Sequence, residues 1–186
     1  MEEVLEKIKR FAHQSHGEQV RRYSQDPYIV HPIRVMQTCR QFTNDITVLA
    51  AALLHDVLED TSVTREQLHA FLEEVMTEEQ AAHTVSLVEE LTDVYIKPRY
   101  PHWNRRKRKM KEAARLEKAS DEAQTIKYAD IIDNAPEIAE KDPDFAQRFL
   151  PEYLSLLKRI TSGEPRLYKQ ALETVYSCLP ESKDRH

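Results

Sequence analysis

The stretch whose residue types could do chemistry is His55-Asp56-Val57-Leu58-Glu59-Asp60-Thr61, directly after the apolar run Ala50-Ala51-Ala52-Leu53-Leu54. A carboxylate buried without a partner is costly, so a His-Asp pair on an apolar helix is normally paired or holds a metal. Helical residues four apart share a face, which places Glu59 one turn beyond His55 and Asp60 one turn beyond Asp56. One face then offers an imidazole and three carboxylates. That is the composition of an active site rather than of a core.

Three further segments could complete it. Pro27-Tyr28-Ile29-Val30-His31-Pro32 puts His31 before a proline at a helix start, and Ile126 to Asn134 puts Asp130 and Asn134 four apart on one face. His16-Gly17-Glu18-Gln19-Val20-Arg21-Arg22 is an early polar turn with two guanidiniums.

The elements that must position these groups read as helices. Apolar positions recur at helical spacing, as in Leu154, Leu157, Ile160 and in Leu167/Tyr168, Ala171/Leu172, Val175/Tyr176. Thr64-Arg-Glu-Gln67 and Thr77-Glu-Glu-Gln80 are capping boxes, and the prolines, Pro136 and Pro151 included, mark turns or helix boundaries. The pattern predicts helices near 2–15, 32–42, 45–58, 64–75, 78–93, 103–117, 121–135, 144–160 and 165–178. The segment 48–58 is apolar nearly all round and should be central, with the His-Asp pair emerging near its C-terminal end.

Bulk properties narrow the class. The 186 residues suit one all-α domain, 1–186, with a substantial core. Only 2 glycines leave little for tight hairpins, and 32% charged residues with a net charge of −5 do not suggest a nucleic-acid binder. Cys39 and Cys178 are too few for a disulfide framework and fit a reducing, cytoplasmic setting. The amphipathic N-terminus is not a signal peptide, and the run Val48 to Leu54 is too short to span a membrane.

Four motifs in order carry a family resemblance: His16-x-x-Gln19-x-Arg21-Arg22, Pro27-Tyr28-x-x-His31-Pro32, Leu54-His55-Asp56-x-x-Glu59-Asp60-Thr61, and Lys127-x-Ala129-Asp130-x-x-x-Asn134. The chain resembles the HD-domain phosphohydrolases over roughly residues 4–138. Within them it looks most like the hydrolase domain of the RelA/SpoT alarmone enzymes and the stand-alone small hydrolases, including the metazoan SpoT-like type. The resemblance implies an HD-type helical bundle that uses Mn²⁺ to remove the 3′-pyrophosphate of (p)ppGpp, giving GDP or GTP. It implies His31, His55, Asp56 and Asp130 as metal ligands and Glu59 and Asp60 as groups handling water and protons. Arg21, Arg22, Ser24 and Asn134 would hold the nucleotide. The chemistry agrees, since two imidazoles and two carboxylates can hold a divalent ion with positions left open. No synthetase-like segment follows, so a stand-alone hydrolase is expected, with a small-molecule nucleotide as partner and neither nucleic acid nor membrane.

The chain departs from that family at Gln25, where Gly is usual, and at Tyr128, where Leu is usual. It also carries Ala135-Pro136-Glu137 where an Arg commonly stands two residues after the Asn. That departure bears on base and phosphate recognition and favours, as the alternative, another nucleotide or a nicotinamide dinucleotide phosphate as substrate. A non-catalytic nucleotide sensor is a second class, against which the full metal and Glu-Asp sets argue. His13, His69, His83, His102 and His186 match no motif and read as surface or packing residues, and His16 reads as ordering the Arg21-Arg22 turn. The basic run 104–111 reads as a solvated face, as a nucleic-acid patch short of interleaved aromatics, or as a source of cations for a polyphosphate. The apolar C-terminal stripes suit a helical interface between copies, hence a homo-oligomer.

Overall fold

The computed structural model describes residues 1–179, and His186 lies outside the described residues. Ten helices occupy them: α1 (Glu2–His16), α2 (Val30–Arg40), α3 (Ile46–Leu54), α4 (Val57–Asp60), α5 (Arg65–Glu73), α6 (Glu78–Leu91), α7 (Arg105–Leu116), α8 (Asp121–Lys141), α9 (Pro143–Leu157) and α10 (Pro165–Cys178). Among the described residues the only β pairing is an isolated bridge between Val20 and Pro27, so the fold is all-α, as expected.

α3 is the centre. Asp45 caps it by accepting from Thr47 N at 2.8 Å, and Val48 through Leu54 are at most 3% exposed. It is packed by α1, α2, α6 and α8. α8 is the second hub, packed by α2, α3, α6, α9 and α10. Both capping boxes form, at Thr64–Gln67 and Thr77–Gln80.

Three expectations are corrected. The helix expected over 45–58 breaks at His55-Asp56, because Asp56 sits at φ −98°, ψ −6°, in the bridge region that often hosts active-site residues. The break redirects the chain into α4. The helix expected to stop at 135 runs through Pro136 to Lys141. A proline inside a helix forfeits one hydrogen bond, and here the buried Ala135 and Ile138 hold the next turn in place. Pro151 likewise lies inside α9 rather than at a boundary. α2 begins at Val30, so Pro32 falls in its first turn, where a missing N–H is tolerated.

The C-terminal helices are locked to α8 by the loop that joins them. Tyr128, fully buried, donates its hydroxyl to Ile160 O at 2.7 Å and accepts from Gly163 N at 3.2 Å. Gly163 is required by close approach, since a Cβ there would meet the Tyr128 ring at 2.6 Å and Thr125 N at 2.8 Å. The departure at Tyr128 thus has a structural reason.

α7 is seated differently. Only Glu112 and Leu116 of it are buried, and polar tethers hold it in place. Glu112 accepts from Val94 N at 3.0 Å and Tyr95 N at 2.9 Å, while Arg115 donates to Glu90 O at 2.7 Å and Thr92 O at 3.0 Å.

Candidate metal and substrate site

The first turn of α2, the α3–α4 junction and the middle of α8 converge on one point. There the side chains of His31, His55 and Asp56 bring a ligand atom each to within 4.8 Å of one another. Asp130 joins them, with Oδ1 3.3 Å from His31 Nε2 and 3.9 Å from His55 Nε2. Asp56 Oδ2 lies 3.0 Å from His55 Nε2 and 3.6 Å from His31 Nε2.

The outer nitrogen of each ring decides what the inner one can do. His55 Nδ1 meets the Ala52 carbonyl at 2.8 Å, a contact that only an N–H can make. His31 Nδ1 donates to Asp133 Oδ2 at 2.6 Å. Asp133 is held in place by a fork from Arg34, with Nε at 2.6 Å and Nη2 at 3.0 Å. In the neutral rings both Nε2 atoms therefore carry lone pairs that face carboxylate oxygens. His55 Nε2 is a buried atom with no hydrogen-bond partner. Lone pair against lone pair is repulsive unless a cation sits between them. With metal–ligand bonds of about 2.1 Å, ligand atoms at right angles lie about 3.0 Å apart and tetrahedral ones about 3.4 Å. At these separations His31, His55 and Asp56 fit a divalent ion, and Asp130 Oδ1, facing both rings, lies beside them.

The pKa shifts tell the same story. Burial pushes His31 down, but hydrogen bonds to Asp130 and Asp133 outweigh it and hold the ring at about 9. His55 is likewise lowered by burial and raised on balance by Asp56. Asp130 stays well below the usual carboxylate range against its burial, held there by Lys127, His31 and His55. Lys127 Nζ donates to its Oδ2 at 2.7 Å, and Asn134 Nδ2 to its Oδ1 at 2.6 Å. In the absence of an ion, protons do the ion's work.

Glu59 and Asp60 part company. Glu59 Oε2 accepts from Asp93 N at 2.9 Å, and the residue lines the cavity beside the ligands. Its carboxyl is open toward the cavity yet hemmed in by protein, and this desolvation, with the Asp93 carboxylate, pushes it up to about 7. Asp60 lies behind Tyr28, whose hydroxyl is 2.7 Å from Asp56 Oδ2 and 3.2 Å from Asp60 Oδ2. One hydroxyl hydrogen cannot fully serve both carboxylates. Desolvation and the Asp56 charge push Asp60 up, against the hydrogen bond that it accepts from Tyr28.

A cavity of about 810 Å³ opens from this point. Its walls include Leu91, Leu116, Phe149, Pro151, Tyr153 and Leu156, together with Arg105, Arg106 and Lys109 of α7. Arg105 forks onto Glu152 at 2.9 and 2.7 Å, and Lys109 pairs with Asp93 at 3.2 Å. Arg106 has no ion pair among the described residues. Lys107 and Arg108 instead serve Trp103, the first over its ring at 4.3 Å and the second on its carbonyl.

Of the four residues expected to hold a nucleotide, Arg21 and Asn134 line the cavity. Arg22 is 68% exposed near Asp142 and stacks over Phe145, and Ser24 Oγ bonds Asp26 within its own turn, both off the cavity wall. His16 orders that segment as expected, meeting Gln19 Oε1 at 3.0 Å, while Gln19 Nε2 reaches the Asp60 carbonyl at 2.8 Å. Tyr28 stands in a motif without an assigned role and Asp133 in none, and both join the site. The signal for Asp133 was its place one turn beyond Asp130.

Known proteins resemble the chain in sequence and in shape. It is 42% identical over 82 residues to a Synechocystis protein named probable guanosine-3′,5′-bis(diphosphate) 3′-pyrophosphohydrolase, a match covering 44% of this chain and 10% of that one. A Mycoplasma pneumoniae protein of the same name is 28% identical over 164 residues, 84% of this chain and 22% of the other. A Mycobacterium leprae protein named probable GTP pyrophosphokinase is 46% identical over 65 residues, 35% of this chain and 8% of its own. The chain thus spans a small part of the length of these curated relatives. A solved structure described as a metazoan ortholog of SpoT that hydrolyzes ppGpp and plays a role in starvation responses superposes with a TM-score of 0.78. It is 23% identical, and the match covers 94% of each chain, so it speaks for the fold. No helix among the described residues is long and apolar enough to cross a membrane. The HD domain family model matches residues 28–135, more than half of the sequence and all four proposed ligands, and the chain belongs to the HD-domain family.

Proposed function

We propose that this chain is a divalent-metal-dependent phosphohydrolase that removes the 3′-pyrophosphate of guanosine tetra- or pentaphosphate, giving GDP or GTP and pyrophosphate, with Mn²⁺ as its metal. The names borne by the Synechocystis and Mycoplasma relatives support this substrate. The observation that carries the reading is that one cavity is lined by groups demanding opposite charges. His31, His55, Asp56 and Asp130 in its lining call for a cation, and Arg106, which has no ion pair among the described residues, calls for an anion, with Arg105 and Lys109 beside it on α7 already paired to Glu152 and Asp93. A nucleotide with phosphates on both the 3′ and 5′ positions meets both demands at once.

His31, His55, Asp56 and Asp130 would hold the ion. When bound, it supplies positive charge to a phosphoryl oxygen and acidifies water near it. Water oxygen attacks the phosphorus on the ribose 3′ oxygen, that P–O bond breaks, and the departing 3′ oxygen takes up a proton. Glu59, poised near neutrality at about 7, is placed to take the proton from water or return it to the leaving oxygen. Asp60 acts through Tyr28, fixing the hydroxyl that orients Asp56. Arg21 and Asn134 stand at the nucleotide, and Lys127 steadies Asp130. α9 belongs to the same hydrolase domain, because it supplies Phe149, Pro151 and Tyr153 to the cavity.

The test is product analysis after incubating metal-stripped protein with ppGpp, with and without Mn²⁺. Manganese-dependent GDP plus pyrophosphate is the expected result. No turnover by protein that binds the metal refutes the substrate. The same assay run with a nicotinamide dinucleotide phosphate then tests the second reading, which the neutralisation of Arg21 by Glu137 favours.

A further inference from the structure

The continuation of α8 through Pro136 brings an unexpected residue to the site. Asp130, Asn134 and Glu137 are spaced i, i+4, i+7, so they fall on one face of the helix. The Glu137 carboxylate pairs with Arg21 Nη2, and the same Nη2 donates to Asn134 Oδ1 at 2.9 Å. Asn134 Nδ2 then donates to Asp130 Oδ1 at 2.6 Å. That oxygen is the one facing both His31 and His55.

A carboxamide can present either its oxygen or its nitrogen to a neighbour. Turned the wrong way, Asn134 would set its oxygen against the Asp130 carboxylate and repel it. Arg21 decides the orientation, because its N–H needs an acceptor and so claims Oδ1. Yet Arg21 arrives on a long side chain from the irregular segment between α1 and α2, and something must hold it there. It is only 9% exposed, and the charge opposite it is Glu137.

We propose that Glu137 is a positioning residue for the metal site. Through Arg21 and Asn134 it fixes how Asp130 Oδ1 is hydrogen-bonded and which of its lone pairs is left for a cation. The inference rests on the reading of His31, His55, Asp56 and Asp130 as metal ligands and is independent of which nucleotide is cleaved. It also gives the Ala135-Pro136-Glu137 departure a role, since an acid at 137 keeps Arg21 beside Asn134.

The experiment is Mn²⁺ binding by calorimetry, with melting temperature recorded alongside, on wild type, Glu137→Ala, Glu137→Gln, Asn134→Ala and the Glu137→Ala/Asn134→Ala double variant. Glu137→Ala should weaken Mn²⁺ binding about tenfold, the lower end for loss of an outer partner of a ligand. Glu137→Gln keeps an acceptor for Arg21 and should restore affinity to within about threefold of wild type. In the Asn134→Ala background the effect of Glu137→Ala should vanish, because the path to Asp130 is already cut. A merely structural role would lower the melting temperature without this coupling. Wild-type affinity in Glu137→Ala, or additive losses in the double variant, overturns this proposal alone. Wild-type protein that binds no divalent ion removes both the proposal and the metal reading beneath it.

Discussion

Asp133→Asn isolates the contribution of a residue that touches no metal. Three donors meet on this carboxylate: His31 Nδ1 at 2.6 Å, Arg34 Nε at 2.6 Å and Arg34 Nη2 at 3.0 Å. Burial raises its pKa, but the bonds from His31 and Arg34 hold it below the usual carboxylate range, so it accepts as an anion. An amide keeps one acceptor and turns an N–H toward either His31 or Arg34. The His31 proton is then no longer pinned to Nδ1, and the ring loses the negative charge that makes its Nε2 basic. His31 is 1% exposed, so water cannot easily replace the lost acceptor. Loss of such an outer partner typically costs about 10–100-fold in metal affinity, or about 1.4–2.7 kcal/mol. The assay is titration of Mn²⁺ in competition with a fluorescent chelator, on folded protein checked by circular dichroism. Arg34→Gln is the control. It leaves the Asp133–His31 bond in place and should bind within about threefold of wild type. If Asp133→Asn binds within that same margin, or Arg34→Gln is equally damaging, the tautomer argument is wrong.

Three other expectations follow from the geometry. Gly163→Ala forces a Cβ to 2.6 Å from the Tyr128 ring and should cost about 1–3 kcal/mol by denaturant melt, with Mn²⁺ affinity unchanged; a neutral result would show the loop is not pressed against α8. The pH dependence has a definite sign, because the His31 value of about 9 lies above its ordinary 6.5. In the metal-free protein the protonated ring contributes stability that is complete below pH 6.5 and lost as pH rises through about 9, whereas Mn²⁺ must displace that proton and should bind more tightly over the same interval. A metal affinity flat between pH 6.5 and 9 contradicts this. Arg106→Ala removes a cavity-lining guanidinium and should raise KM for ppGpp about five- to tenfold, the worth of one charge-assisted phosphate contact, with Mn²⁺ affinity intact; an unchanged KM would return α7 to being a solvated face.

The helices were legible because their signals are local. Capping boxes at Thr64 and Thr77 need only residues three apart, and both form as read. The break at His55-Asp56 was not legible, because apolar periodicity continues straight through Val57 and Leu58. What bends the chain there is the bridge conformation of Asp56, which pays off only through contacts with Tyr28 on a distant segment and with His31 on α2. Pro136 misled in the opposite direction. Its local rule says stop, and the burial of Ala135 and Ile138 overrides it.

The residue types of the site were legible from motif order, whereas its hydrogen bonds were not. Asp133 is one turn from Asp130, but whether it serves α2 or solvent depends on where Arg34 and His31 stand, 99 and 102 residues away in sequence. The same limit separates Arg21 from Arg22. Adjacent in sequence and alike in chemistry, one is 9% exposed on Asn134 and Glu137, and the other is 68% exposed near Asp142. That division is made by the distant partners, Asn134 and Glu137 of α8 for Arg21 and Asp142 for Arg22. The break at Asp56, the tautomers set by Ala52 and Asp133, and the amide orientation set by Arg21 then act to one end. Each aims a lone pair at the same point, where either a proton or a metal ion relieves the repulsion between rings and carboxylates. Metal affinity and metal-free stability should therefore fall together in variants of these outer partners, since whatever sharpens the lone pairs for the ion also sharpens them for the proton that stands in for it below about pH 9.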